Sequence, residues 1–343
     1  MRLRIGLLVV AAFATSCSVA LASPLSPGQV TQIVSFGDSL SDAGNASIAT
    51  FGAEPGSGYA TRTVTGVPFP VGYFTNPQTS TGPSGLWIDQ LAAKLGIADP
   101  SPALAPLGGS NYAVGSAMTG SANPADMQNQ VNLFLATHLG NASSSALYTF
   151  WGGADDIFAA QNPITAADNI AAQIKQVAAD GGHNFLWLDL PNLGGVPALN
   201  GDPAAAAAAN FASLAFDQEW TTQVSNLDSL GINVIGVNID TLYNDILANP
   251  AAYGFSNVAD ACNATLGCNP DTFLYWDSLH PTTSADSLVA DLAYQDAFGS
   301  TVVTPEPSTI TLFALGGAGL LLLWRSRRDP LSSRVGQVAH PSS

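Results

Sequence analysis

Between residues 23 and 304 the chain carries three histidines, and only His280 has an acid at a spacing that supports chemistry. It stands in "YWDSLHPTT", three residues after Asp277 and directly before Pro281. A carboxylate there can reach across a turn to the far ring nitrogen, fix the tautomer and stabilise the imidazolium. That is the acid–base half of a serine triad, and it asks for a nucleophile elsewhere. One candidate lies near the amino end in "QIVSFGDSLSDAGN" (32–45), where an apolar run stops abruptly at Gly37-Asp38-Ser39. A serine at such a junction is more often a helix cap than a nucleophile. The presence of both patterns in one chain favours the nucleophile. The other two histidines have structural readings: His138 closes a helical stretch, where it meets the dipole, and His183 enters an apolar strand.

Elements must bring these distant groups together. Short β-branched or aromatic runs predict strands at 32–37, 111–114, 147–152, 184–190 and 233–239. Segments with apolar residues at helical spacing predict helices within 84–96, 124–140, 163–182, 203–231 and 283–299, most of them ending at glycine. Nearly continuous apolar strands alternating with helices indicate a parallel sheet covered on both faces. The stretch 51–85 reads as a loop. Following the first strand of a doubly wound sheet, it is expected to wall the ligand crevice.

Both ends of the 343-residue chain read as processing signals. At the front, Arg2 and Arg4 precede the run "IGLLVVAAFA", and "ALA" at 20–22 suits cleavage before Ser23. A lipoprotein alternative would use Cys17. At the back, 17 uncharged residues from Ser308 to Trp324 separate Pro307 from the cluster Arg325, Arg327 and Arg328. That length is short for a membrane span, and the arginines would face the cytoplasm. Residues 329–343 form a basic and polar tail. The body, 23–304, holds three basic residues, Arg62, Lys94 and Lys175, against 23 acidic ones, all 25 but Glu306 and Asp329. Such a surface repels nucleic acid, and no nucleic-acid function is expected. Cys262 and Cys268, close together in an exported chain, suggest one local disulfide, and the stretch supplies too few ligands for zinc.

Four blocks, in order, resemble the GDSL lipase/esterase family of SGNH hydrolases. They are "FGDSLSDAGN" (36–45), "GSNYAVGSA" (109–117), "WGGADDIF" (151–158) and "DSLHPT" (277–282), with "LPNLGGVP" (190–197) and 249–262 in support. The resemblance covers about residues 32–298. It implies a flavodoxin-like three-layer α/β/α sandwich with a five-stranded parallel sheet. It also implies hydrolysis of carboxylic esters through Ser39 as nucleophile, His280 as base and Asp277 as acid, with no metal or cofactor. The oxyanion hole would use the N–H of Ser39 and of Gly115, or of Ser116 one register later, together with residue 155. At that last place the family has an asparagine, whereas this chain has Asp155 followed by Asp156.

An ionised carboxylate cannot donate a hydrogen bond. Three readings follow: Asp155 is protonated and donates, it is ionised and turned away, or the fold is retained for binding at a cell surface or extracellular matrix. Asp42 and Asn45 also match the first block, but turn and cap roles account for them, and Asp38 is expected to cap backbone N–H groups. Tyr73, Phe74, Trp87, Trp151, Tyr275 and Trp276 are candidates for an acyl pocket, core packing being the expected role of most.

The carboxyl-terminal order Pro-Glu-Pro, apolar run, arginine cluster resembles the PEP-CTERM sorting signal, with a single-span anchor as the alternative. The domain plan is thus a signal peptide at 1–22, a hydrolase at 23–304, a sorting segment with a transmembrane helix at 305–328, and the tail. The partners this implies are an ester substrate, small-molecule, lipid or carbohydrate, and an exosortase-type sorting enzyme. Membrane contact would run through the carboxyl-terminal segment before processing, at the surface of a Gram-negative bacterium or outside it.

Overall fold

The computed structural model describes residues 25–299. The expected signal peptide, the sorting segment with its transmembrane helix, and the tail lie outside them. In chain order the elements are β1 Gln32–Gly37, α1 Asn45–Ala49, β2 Ala60–Arg62, β3 Val71–Tyr73, α2 Trp87–Leu95, α3 Met127–His138, β4 Ala146–Trp151 and α4 Ala154–Phe158. There follow α5 Pro163–Ala179, β5 Asn184–Leu188, α6 Pro203–Ser229, β6 Asn233–Val237, α7 Ile239–Ala248, β7 Asn257–Ala261, β8 Phe273–Tyr275 and α8 Thr283–Phe298.

The central sheet has the order β1-β4-β5-β6, with all pairs parallel. Its side chains alternate strictly between two cores, as the two-residue repeat of a strand requires. Ile33, Leu147, Leu186, Leu188, Ile235 and Val237 face the layer of α2, α7 and α8. Val34, Phe36, Tyr148, Phe150, Phe185 and Trp187 face α3, α5 and α6. Both faces being covered, the strand interiors are largely apolar, Ser35 and Thr149 being buried exceptions.

The expected fifth strand is corrected: segment 110–114 runs along the free edge of β1 but forms only isolated bridges at Asn111. Ser35 N–H donates to Ser110, while Tyr112 and Val114 N–H donate to Ser35 and Gly37. The ladder then stops because the Gln130 side chain takes its place. Gln130 Oε1 accepts from Gly37 N–H at 2.9 Å, and its Nε2 donates to Gly37 O at 2.8 Å. With that segment counted, the order is the flavodoxin-like one, and the crevice falls beside the carboxyl end of β1.

Caps set several boundaries. Asn162 and Asp202 accept from the first turns of α5 and α6, each with proline at the first helical position. The strand expected to run to 239 ends at Val237, since Asn238 caps α7 and Asp189 accepts from the N–H groups of Ile239 and Asp240. The loop-like region contains the antiparallel hairpin β2–β3, too short in each strand to show a two-residue repeat. Cys262 and Cys268 form the expected disulfide. Among the described residues no helix is long and apolar enough to cross a membrane.

Burial, with the charge of Asp217 added, pushes Asp189 up to about 8, and burial with the charge of Asp240 pushes Asp217 up to about 7. Both groups hold their protons more tightly folded than unfolded, so their contribution to stability is lost as pH rises from the ordinary carboxylate range to those values. The melting temperature is therefore expected to fall between about pH 5 and about pH 8. A melting temperature that is flat or rising across that range in scanning fluorimetry would contradict this.

Candidate active site

The turn after β1 is built by close approach. A Cβ on Gly37 would lie 2.2 Å from the carbonyl oxygen of Trp151 on β4, so only glycine lets the two strand ends converge here. Asp38 Oδ1 then accepts from Leu40 N–H at 3.0 Å, and Asp38 O from Ser41 N–H. This local turn lifts Ser39 out of the sheet edge and leaves its N–H without a partner among the described residues.

On the opposite wall, the three-residue spacing of Asp277 and His280 is closed by the same kind of turn. Asp277 Oδ1 accepts from the N–H groups of Leu279 and His280, both at 2.7 Å. The side chain of His280 returns to Asp277, with Nδ1 2.7 Å from Oδ2, and its Nε2 lies 2.8 Å from Ser39 Oγ. Burial alone would raise the proton affinity of Asp277. The hydrogen bonds and charge of His280 and the hydroxyl of Tyr59 outweigh it, holding the carboxyl at about 2. An ionised Asp277 only accepts, so Nδ1 carries the proton and Nε2 is free to accept from Ser39 Oγ–H.

Asp155 opens α4 and lines the same pocket as Ser39 and His280. The preceding Gly153 has φ 110°, and a Cβ there would press within 2.6 Å of Phe216. Burial, with smaller contributions from Asp156 and Asp126, raises Asp155 to about 6 against the pull of His280. Its carboxyl has no hydrogen-bond partner among the described residues. Asp38, which lines the same pocket, is buried and its carboxyl is likewise raised, first by burial and then by the charge of Asp155, and its Oδ2 has no partner among the described residues. Asp156 is structural, accepting from the N–H and hydroxyl of Thr119.

Gly115 does not present its N–H to the pocket as expected. Asp42 Oδ2 takes it at 2.8 Å, while the same carboxylate accepts from Gly44, Asn45 and Ala46 at the start of α1. The alternative donor, Ser116 N–H, has no partner among the described residues. Ser116 sits in the left-handed region at φ 64°, a conformation that costs a non-glycine residue about 1 kcal/mol and clusters at functional sites. Asn45 ties the blocks together, donating to the carbonyls of Asn111 and Ala113.

Trp151 and Tyr275 line the pocket, together with Pro191, Leu193 and Val196 of the 190–197 stretch. Trp87 and Tyr73 are core residues, Phe74 lies against the His280 ring at 5.0 Å, and Trp276 meets Tyr59. His138 is structural, with Nδ1 bonded to Phe134 O and its ring on Phe134, and His183 is exposed. Two contacts to the site escaped sequence reasoning: Gln130 on the Gly37 turn and Tyr59 on Asp277, at 2.6 Å. Among the described residues no three His, Cys, Asp or Glu side chains are arranged to hold a metal ion.

A parallel α/β sandwich with a serine, histidine and aspartate in line at the end of its first strand has the layout of a serine hydrolase. The model of the GDSL-like lipase/acylhydrolase family matches residues 33–293, and the chain belongs to that family. A PEP-CTERM protein-sorting motif matches residues 303–328. Esterase EstA of Pseudomonas aeruginosa is 30% identical over 324 residues, covering 81% of this chain and 48% of that one. An uncharacterised Pseudomonas putida protein of a trpE–trpG intergenic region is 28% identical, covering 83% and 51%. The chain thus spans about half the length of these two relatives. A GDSL esterase/lipase of Arabidopsis thaliana is 26% identical, covering 76% and 85%. Among solved structures, the native M. smegmatis aryl esterase is 14% identical, covering 78% of this chain and 98% of its own, with a TM-score of 0.40.

Proposed function

We propose that this protein is an exported serine esterase that cleaves carboxylic esters of short acyl chains through a covalent acyl-enzyme. The observation that carries the reading is the unbroken line from Ser39 Oγ through His280 to an ionised Asp277. Ser39 Oγ attacks the ester carbonyl while Nε2 of His280 takes its proton. Asp277 stabilises the imidazolium, which then protonates the departing alkoxide. Water, activated by the same nitrogen, releases the acid. We assign the oxyanion to the N–H groups of Ser39 and Ser116, which have no partner among the described residues, with protonated Asp155 as the third donor. The scheme uses no metal or cofactor.

The crevice beside Ser39 is apolar and small, about 60 Å³. A cavity that holds benzene has about 150 Å³, and sites for larger ligands have about 300–1,000 Å³. An acetyl group is of that size, and longer chains must extend past Phe158 and Leu279, which line the crevice and are partly exposed. With p-nitrophenyl acetate, butyrate, octanoate and palmitate, kcat/KM is expected to be at least about tenfold higher for the two short esters. A fluorophosphonate probe should label the Ser39 peptide. Failure to label would sink the nucleophile assignment, and an octanoate or palmitate optimum would sink the short-chain one.

The sorting motif supports export from a Gram-negative cell, an exosortase-type processing enzyme as partner, and membrane contact by the carboxyl-terminal segment before cleavage.

A further inference from the structure

We propose that Tyr59 is a positioning residue for the triad acid. Its hydroxyl shares Oδ2 of Asp277 with the Nδ1–H of His280, and the hairpin beside it holds the acid–base loop in register with Ser39. The proposal rests on the esterase reading above.

The contact geometry is complete. Tyr59 O–H donates to Oδ2 at 2.6 Å, Nδ1 of His280 reaches the same oxygen at 2.7 Å, and Oδ1 takes the N–H groups of Leu279 and His280. All four acceptor positions of the carboxylate are filled, which blocks rotation about its Cβ–Cγ bond. Burial, followed by the hydrogen bond to Asp277, raises Tyr59 above its ordinary range, so the phenol stays a donor throughout the working pH range.

The surrounding contacts point the same way. The Tyr59 ring stands edge-on to Phe74 and Trp276, with centroids 6.4 and 6.3 Å apart, and Phe74 lies on His280. Ala60 N–H donates to Thr75 O, Thr75 Oγ1 to Pro281 O, and Asn76 Oδ1 accepts from Thr283 N–H. Residues at both ends of the β2–β3 hairpin therefore grip segment 277–283.

The shared oxygen has two consequences of opposite kind. The phenol holds the carboxylate in place, which raises kcat, and it draws charge away from the oxygen facing Nδ1, which weakens the pull on the imidazolium. A residue that only filled space would do neither. The other titratable groups facing this contact are Glu54 ahead of Tyr59, and Asp155 across the pocket with Asp38 and Asp156 beside it.

Tyr59→Phe keeps the ring and removes the hydroxyl. On p-nitrophenyl butyrate, kcat should fall about tenfold with KM changed less than about twofold, since a charge-assisted hydrogen bond is lost away from the substrate. The acid limb of kcat/KM should move up by about half a pH unit, because Asp277 then keeps its full charge toward Nδ1. In an Asp277→Asn background the same substitution should cost less than about twofold, since the carboxylate it acts through is gone. An unmoved acid limb, or a tenfold loss that persists beside Asp277→Asn, would overturn the proposal while leaving the esterase reading intact. Equal turnover by the wild type and Ser39→Ala would instead bring down the esterase reading, and this proposal with it.

Discussion

Ser39→Ala is expected to lower kcat on p-nitrophenyl butyrate by about 10⁴ to 10⁶-fold, to a residue of activity left by the oxyanion donors and the bound-state geometry. The size follows from the role. Without Oγ no acyl-enzyme forms, and Nε2 of His280, 2.8 Å from the missing oxygen, can only assist a water in its place. His280→Ala should cost a similar factor, because hydroxyl and base act as one unit. The double variant should be little worse than either single one, since removing a part of a broken unit costs nothing further. Stability separates this from a folding defect: among the described residues the only hydrogen bond of Ser39 Oγ runs to His280, so the melting temperature of Ser39→Ala should stay within a few degrees of wild type. A variant that turns over as fast as wild type would remove Ser39 from the mechanism and leave the binding reading standing.

What could be read from the sequence and what could not divides along contact range. The Gly-Asp-Ser and Asp-x-x-His patterns are visible because each is a local turn: Asp38 accepts from Leu40 two residues on, and Asp277 from Leu279 and His280. The four parallel strands were legible because burial on both faces makes their composition continuous and apolar. The expected fifth strand failed through a contact the pattern cannot contain, the Gln130 side chain replacing a ladder partner 93 residues away. Gly115 failed as a donor for the same reason, since Asp42 lies 73 residues earlier in the chain. Tyr59 sits 218 residues before Asp277, in a stretch whose residues give no periodic signal. Ser39 and His280 were found although they meet across 241 residues, because each sits in a recognisable local turn; residues whose only signal is a distant contact were not.

Asp155 is the position where the sequence departs from the family pattern, and it is expected to set the alkaline behaviour. With its carboxyl raised to about 6, the protonated form that can donate to an oxyanion is present at mildly acidic pH and is lost as pH climbs. Ionised, the group faces the same pocket as a repelling charge. The base asks for the reverse, a neutral His280, so the wild-type profile is expected to be a narrow bell with an early alkaline fall. Asp155→Asn supplies a donor that does not titrate. Its activity should remain high at about pH 8 to 9, where it should exceed wild type by about 10²- to 10³-fold, the usual value of one oxyanion donor.

Stability gives an independent reading of the same group. Asp155 binds its proton more tightly folded than unfolded, so wild type loses stability as pH rises from the ordinary carboxylate range to about 6. The asparagine variant escapes that loss, and its advantage in melting temperature should open across that window and stay constant above it. Superimposable pH profiles for the two proteins would show that Asp155 never donates. Catalysis would then rest on the N–H groups of Ser39 and Ser116 alone, in a slower enzyme.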